Sequence, residues 1–298
     1  MTKARLIEPA RRTYSGTTTD PERWPTWDPR DGDILVCTPP KSGTTWTQTI
    51  LAMLLNGGSD LPEKIPVLSP WVDAHLGVEP EEVAAALERQ TGRRVVKTHT
   101  PADGFPIWDG VTVIAVYRHP LDVFFSLRKH QRNKAEQDPN HPMLLPVSES
   151  LELFLEGTAA LDDFDRDNLQ TIATHYTETV LSGRVPGLEA FHYSDMSSNG
   201  RRAVEALAKA AGIDADDALI DTVTEATSFA TMKANARDYA PVAGTGYWKS
   251  DAGFFDSGSS RKWEGQCTDE GLALFESRLA ELVSDEQARD WLKHGEGV

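Results

Sequence analysis

The chain has 298 residues, of which 39% are hydrophobic and 26% charged, a balance that supports one substantial core and excludes a disordered, collagen-like or membrane-spanning chain. Thirty Lys and Arg against 46 Asp and Glu leave a formal charge of −16, so most of the surface repels nucleic acid and anionic membranes, and any polyanionic ligand needs a local positive pocket. The two cysteines, Cys37 and Cys267, have no CxxC spacing and support neither a disulfide framework nor a Cys-rich zinc site.

Met1 to Arg12 carries charges and Pro9 where a signal peptide needs an apolar core, which predicts a cytoplasmic protein. Pro21 to Arg30, rich in Pro and Trp, reads as an ordered wrap ahead of the first strand, Asp33 to Thr38. After the loop Pro39 to Gly43, the spacing of Trp46, Ile50, Met53 and Leu54 predicts a helix over Thr44 to Leu55. Arg94 to Thr98 and Val111 to Tyr117 are further buried strands, and a helix with Pro120 at its start follows over Leu121 to Lys134. Beyond Ser148 helices are expected over Glu149 to Asp162, Asp167 to Leu181, Arg201 to Ala211, Asp216 to Glu225 and Asp269 to Leu282, interrupted by one strand, Leu188 to Tyr193. Asn235 to Lys262 lacks a period. Within it, Tyr239 to Ser260 combines four glycines with five aromatics and reads as a lid or a pinned pocket wall. Strands alternating with helices predict a single α/β domain over residues 1–298, a central parallel sheet flanked by helices.

Three segments carry chemistry. Thr38 to Trp46 (TPPKSGTTW) lies between a strand and a helix N-terminus, where free N–H groups, the helix dipole, Gly43 and Lys41 favour an anion. Lys41 precedes Gly43, unlike the order in a Walker A loop, so a nucleoside triphosphatase is disfavoured; a lysine in an ordinary capped turn is the plainer alternative. Val116 to Ser126 (VYRHPLDVFFS) ends its strand in Arg118, where a Walker B strand would end in an acid. This favours a metal-free phosphate site, with an Arg118–Asp122 ion pair as the structural alternative. Val96 to Pro101 (VKTHTP) delivers Lys97 and His99 to the same sheet edge. A neutral imidazole, titrating near ~6.5, is suited to taking a proton from an alcohol. His119 competes with His99 by position, whereas His130, His141, His175 and His294 read as solvent-facing.

These segments, together with RWPTWDPRDGDILVC before the first loop, FHYSDM at Phe191 to Met196, TSFATMKAN at Thr227 to Asn235 and RKWEGQ at Arg261 to Gln266, resemble the cytosolic-type sulfotransferases. That family uses 3′-phosphoadenosine 5′-phosphosulfate (PAPS) and releases adenosine 3′,5′-bisphosphate (PAP), with no metal. The resemblance implies a P-loop-like phosphosulfate loop of Lys41, Ser42, Gly43, Thr44 and Thr45. It implies a 3′-phosphate site of Arg118, Ser126, Arg261 and Lys262, and an adenine frame of Trp46, Tyr193, Thr227 and Phe229. His99 would be the base with Lys97 beside it, and Ser126 would hold Lys41 away from the bridging oxygen until a partly apolar hydroxyl acceptor, or an amine, arrives. The chain departs from the family at Pro39, where Tyr is usual, and at Trp263, where the last motif has Gly. It also lacks a recognisable dimerisation segment, so its oligomeric state is open. A bacterial member is expected. The rival readings are a P-loop nucleotide kinase, which would need magnesium and ATP, and a catalytically silent PAPS-binding protein.

Overall fold

The computed structural model describes residues 1–296. Among them six strands form: β1 (Arg5–Glu8), β2 (Ile34–Cys37), β3 (Val95–Thr98), β4 (Ile107–Asp109), β5 (Thr112–Tyr117) and β6 (Glu189–His192). The central sheet has the order β3-β2-β5-β6 and is parallel throughout, with Val36 lying between Lys97 and Ile114. β1 and β4 make a separate antiparallel pair.

Both faces of the central sheet are covered, which is why its strands read as near-continuous apolar runs. Ile34, Val36, Ile114 and Val116 pack on Ile50, Leu51 and Leu54 of the helix Thr44–Asn56 and on the helices Gly200–Ala210 and Asp217–Ala226. Ala115 and Tyr117 face the other way, toward Phe124, Phe154, Ile172 and Phe275 from the helices Pro120–Asn133, Val147–Glu156, Leu169–Tyr176 and Asp269–Leu282. Leu35, Cys37 and Val96 meet Trp27, Val72 and Phe105. The N-terminal wrap is ordered by a buried pair: Arg94 and Asp33 lie 2.6 Å apart, and the Asp33 carboxylate also accepts from Trp27 Nε1 and the Arg30 N–H. The chain leaves β2 toward β3 on one side and reaches β5 on the other. The crevice between the C-terminal ends of β2 and β5 is therefore the topological switch point, where open α/β sheets bind ligands.

Two expected helices are shorter than the periodicity suggests. The one expected over Glu149 to Asp162 ends at Glu156, because Gly157 leaves helical geometry at ψ 145°. A Cβ at Gly157 would stand 2.8 Å from Asn168 Cβ, so the chain turns where only glycine fits beside that residue. The next helix starts at Leu169 rather than Asp167, capped by the Asn168 side chain, and widens into a π turn over Thr177–Leu181. The stretch between Gly157 and Asn168 is thereby freed as a strap that reaches the sheet's C-terminal edge. Helices over Pro80–Arg89 and Glu286–His294 also form, neither of them expected from the sequence. The apparently aperiodic stretch after Asn235 contains short turns of helix at Ala236–Tyr239 and Asp251–Phe254.

Candidate active site

At the end of β2 the backbone takes positive φ twice, at Lys41 (64°) and Gly43 (108°), before the helix Thr44–Asn56 begins. Gly43 is required there: a Cβ would lie 2.9 Å from Tyr193 Cδ2, in a backbone region that L residues disfavour. As N-cap it offers no side chain, so the N–H groups of the first turn are left for a ligand. Thr38 and Thr44 hydroxyls meet at 2.6 Å and tie the strand end to the helix start. Ser42 is enclosed beneath the loop, its buried Oγ without a partner.

Lys41 reaches into the cavity with Nζ 3.2 Å from His130 Nδ1 and 4.5 Å from the centre of the Phe254 ring. Burial, then the charges of Arg118 and Lys262, lower its pKa to about 7. Its hydrogen-bond partner is thus His130 and not Ser126. Ser126 is buried at the cavity wall, and no hydrogen bond links it to Lys41. The resemblance implies that Ser126 restrains Lys41; here the ammonium extends one helical turn further along Pro120–Asn133, to the residue at the i+4 position. His130, expected in solvent, lines the cavity, and burial followed by the Lys41 charge keeps it neutral.

The end of β3 delivers Lys97 and His99 to the same cavity. His99 Nδ1 lies 2.6 Å from the Thr38 carbonyl; a carbonyl can only accept, so Nδ1 carries the proton and Nε2 the lone pair. Burial and the Lys97 charge push the imidazole pKa well down, which keeps it neutral. The Trp71 ring meets it edge-on at 4.4 Å and also lies 4.5 Å from Lys97 Nζ. Burial lowers the Lys97 pKa to about 8. His119 has no comparable freedom. Its Nδ1 accepts from the Leu121 N–H as the cap of the following helix, and its ring stacks on Trp263, so Trp263 serves as packing in place of the family's glycine.

At the end of β5, Arg118 is buried, its guanidinium 4.4 Å from the Tyr193 ring centre and one NH2 group donating to the Ser259 carbonyl at 2.7 Å. Its Nε has no hydrogen-bond partner. Asp122 stands only 4.0 Å from that guanidinium, but its two oxygens accept from the backbone N–H groups of Arg261 and Lys262 at 2.9 and 2.7 Å. The carboxylate that the ion-pair alternative invoked is therefore occupied in fixing the last motif. Lys262 lines the cavity, with Nζ 2.6 Å from Asp256. The Arg261 side chain is not brought in: with φ at 59° it turns outward, 77% exposed and 3.8 Å from Glu264. The resemblance implies this side chain at the phosphate; here the left-handed backbone that points its N–H at Asp122 leaves its side chain in solvent.

Trp46, Tyr193, Thr227 and Phe229 all line the same cavity, whose volume is about 1090 Å³. Trp46 and Tyr193 meet edge-to-face at 5.9 Å. The Thr227 hydroxyl is taken by the Val223 carbonyl at 2.7 Å, leaving that residue to contribute shape. Gly258 presses on Phe229, where a Cβ would come within 2.6 Å. The loop after Tyr239 forms an aromatic wall in which Trp248 and Phe254 flank His130 at 4.7 and 6.1 Å. It is pinned to the end of the helix Pro120–Asn133 by Lys249 N–H to Asn133 O at 2.7 Å and Ala135 N–H to Tyr247 O at 2.9 Å.

Sequence reasoning missed three groups at this site. His130 could have been found from its place one turn beyond Ser126. Asp122 was visible only as half of a possible ion pair. Phe164, Asp165 and Asp167 arrive on the strap between Gly157 and Asn168, which the sequence suggested as a helix to Asp162, a short gap and a second helix from Asp167. His175, expected in solvent, is buried with Nδ1 2.9 Å from the Tyr117 hydroxyl, while His141 caps the short turn Pro142–Leu144 and lines the cavity.

A sulfotransferase-domain family model matches residues 31–287. The glycolipid sulfotransferase of Mycobacterium bovis is 30% identical over 301 residues, covering 92% of this chain and 91% of its own. The canine sulfotransferase 1B1 is 28% identical, covering 80% and 79%. Among solved structures, a mouse sulfotransferase complexed with PAP superposes with a TM-score of 0.70 at 19% identity and covers 92% of both chains. Retinol dehydratase with androsterone and PAP gives 0.65 at 19% identity, covering 86% of this chain and 82% of its own.

Proposed function

The chain belongs to the sulfotransferase-domain family, and on that premise we propose that residues 1–298 act as one domain that transfers a sulfuryl group from PAPS to a hydroxyl acceptor. The observation that carries the reading is a cationic pocket inside a chain of charge −16: Lys41, Arg118 and Lys262 share one cavity. Beside it the buried Ser42 Oγ and Arg118 Nε have no partners among the described residues. Unpartnered donors and cations at a helix N-terminus fit a bisphosphorylated nucleotide. When bound, the nucleotide supplies the sulfuryl group and a stable bisphosphate leaving group.

Lys41, Ser42, Gly43, Thr44 and Thr45 hold the 5′ side, and Lys41 brings positive charge to the oxygen from which sulfur departs. Arg118, Ser126 and Lys262 hold the 3′-phosphate, with Arg261 anchoring that segment through its backbone. Trp46, Tyr193, Thr227 and Phe229 enclose the base. His99 Nε2 takes the acceptor's proton, and the Nδ1–H to Thr38 carbonyl bond keeps the ring in the tautomer able to do so. Lys97, by its charge, holds that ring neutral before the acceptor arrives. The apolar side of the cavity, with Trp71, Phe164, Trp248, Phe254 and Phe255, suits an acceptor that is partly apolar, in keeping with the glycolipid named for the mycobacterial relatives. The chain is assigned to the cytoplasm, with no nucleic-acid partner; among the described residues no helix is long and apolar enough to cross a membrane.

The test is thermal stabilisation by PAP and by ATP, each with a chelator, followed by a sulfate-transfer assay on phenols and alcohols. PAP is expected to raise Tm without metal and ATP to raise it far less. Equal shifts, or a PAP shift abolished by chelator, overturn the reading in favour of a nucleotide kinase.

A further inference from the structure

Most carboxylates around the cavity are already engaged. Asp165 accepts from the N–H groups of Thr18 and Thr19 and from the Thr19 hydroxyl, and Asp256 accepts from Lys262. Asp167 differs. It lines the cavity, yet among the described residues its carboxyl receives no hydrogen bond, and the charges acting on it are those of Lys134, Asp165 and Lys41. Burial raises its pKa to about 7, the mark of an acid that lacks a donor.

Its position is built. The next residue, Asn168, is buried, caps the helix Leu169–Tyr176 through the Thr171 N–H at 2.9 Å and donates to the Thr158 carbonyl at 3.1 Å. Three residues earlier, Phe164 is buried against Tyr14 with ring centres 4.5 Å apart, and its N–H donates to Ser15 O at 2.9 Å. The strap is fastened on both sides of Asp167, so the carboxyl is presented to the cavity from a fixed backbone.

We propose that Asp167 determines acceptor specificity by accepting a hydrogen bond from a second hydroxyl of the acceptor, so that the enzyme selects polyhydroxylated acceptors over singly hydroxylated ones. This deepens the sulfuryl-transfer reading and rests on it for where the acceptor lies. A hydroxyl asks less of the site than an ammonium, because Lys134 and Lys41 already offset the negative charge of Asp165 and Asp167. A half-buried acceptor in the cavity wall with no donor from the described residues favours ligands that supply one.

Binding of tyrosol, tyramine and para-ethylphenol to the PAP-loaded protein, read by tryptophan fluorescence, tests this. The three share a 4-ethylphenol frame and differ only in whether its terminal carbon carries a hydroxyl, an ammonium or a hydrogen. Tyrosol is expected to bind roughly tenfold more tightly than para-ethylphenol, as befits a hydrogen bond to a charged acceptor. Asp167→Leu should abolish that difference, and Asp167→Asn, whose side-chain oxygen still accepts, should restore most of it. Tyramine should bind no better than tyrosol. Equal binding of tyrosol and para-ethylphenol in the unaltered protein, undetectable binding of both included, overturns the proposal, as does a difference that survives Asp167→Leu. A preference for tyramine overturns the choice of a hydroxyl. Sulfonation is scored separately on the same compounds: discrimination in binding with no sulfate transferred counts against the catalytic reading alone, and transfer without discrimination counts against Asp167 alone.

Discussion

Lys41 makes nucleotide affinity depend on pH in a direction that can be worked out from its surroundings. Burial and the neighbouring cations Arg118 and Lys262 depress its pKa to about 7 in the ligand-free protein. An anionic nucleotide against the loop favours the charged form and raises that pKa again. Below pH 7 the ammonium is already formed, so binding takes up no proton there and affinity is flat on this account. Above pH 7 the protein must acquire a proton to bind, and the PAP dissociation constant should rise about fivefold, or about 1 kcal/mol, between about pH 7 and 8, on the way to a limiting slope of about tenfold per unit. Lys97, lowered by burial to about 8, steepens the dependence only beyond that window. Titration calorimetry in buffers of different ionisation enthalpy measures both the affinity and the proton uptake, which should approach one per site. Lys41→Met should bind PAP more weakly and with a flat profile over the same window. A dissociation constant in the unaltered protein that does not change from pH 7 to 8, or a slope that persists in Lys41→Met, refutes the reasoning.

Three other outcomes follow from the geometry. His99→Ala should leave PAP affinity nearly intact while lowering kcat by ~10² to 10⁴, as for loss of a general base; near-normal turnover would move the base to another group. Asp122→Ala removes the acceptor of two backbone N–H groups at Arg261 and Lys262, so PAP affinity should fall at least ~tenfold, and hydrogen exchange at those two amides should accelerate; unchanged exchange would mean that the motif is held some other way. In the loop after Tyr239, residues 247–250 should be protected from exchange with or without nucleotide, because they are bonded to Asn133 and Ala135. Residues 255–261 should gain protection when PAP engages Lys262 and Arg118, and uniform protection over the whole loop would make it a fixed wall.

Local pattern alone was enough for the parallel sheet, because β2 and β5 are buried on both faces and must be apolar throughout, whatever their neighbours. It was also enough for the loop after β2, whose Lys41, Gly43 and helix-starting threonines are contiguous and whose free N–H groups stand at a helix N-terminus. His99 and Arg118 were legible for the same reason: each ends a strand, and strand ends in such sheets converge on the switch point. What tertiary structure decided depends on contacts between segments far apart in the chain. Ser126 and His130 occupy the same helix one turn apart, and only the path of the Lys41 side chain selects His130. The resemblance implied Arg261 at the phosphate, but Asp122, 139 positions away, accepts from its N–H, and its side chain stands in solvent. Asp167 was hidden because it was expected as the first residue of the next helix; that helix starts at Leu169, and the approach of Asn168 to Gly157, which excludes any Cβ there, ends the preceding helix early and leaves Asp167 on the strap between them. Periodicity records which face of an element is buried; it holds no information about which distant backbone claims a carboxylate, and that is what set the cavity's chemistry beyond the nucleotide loop.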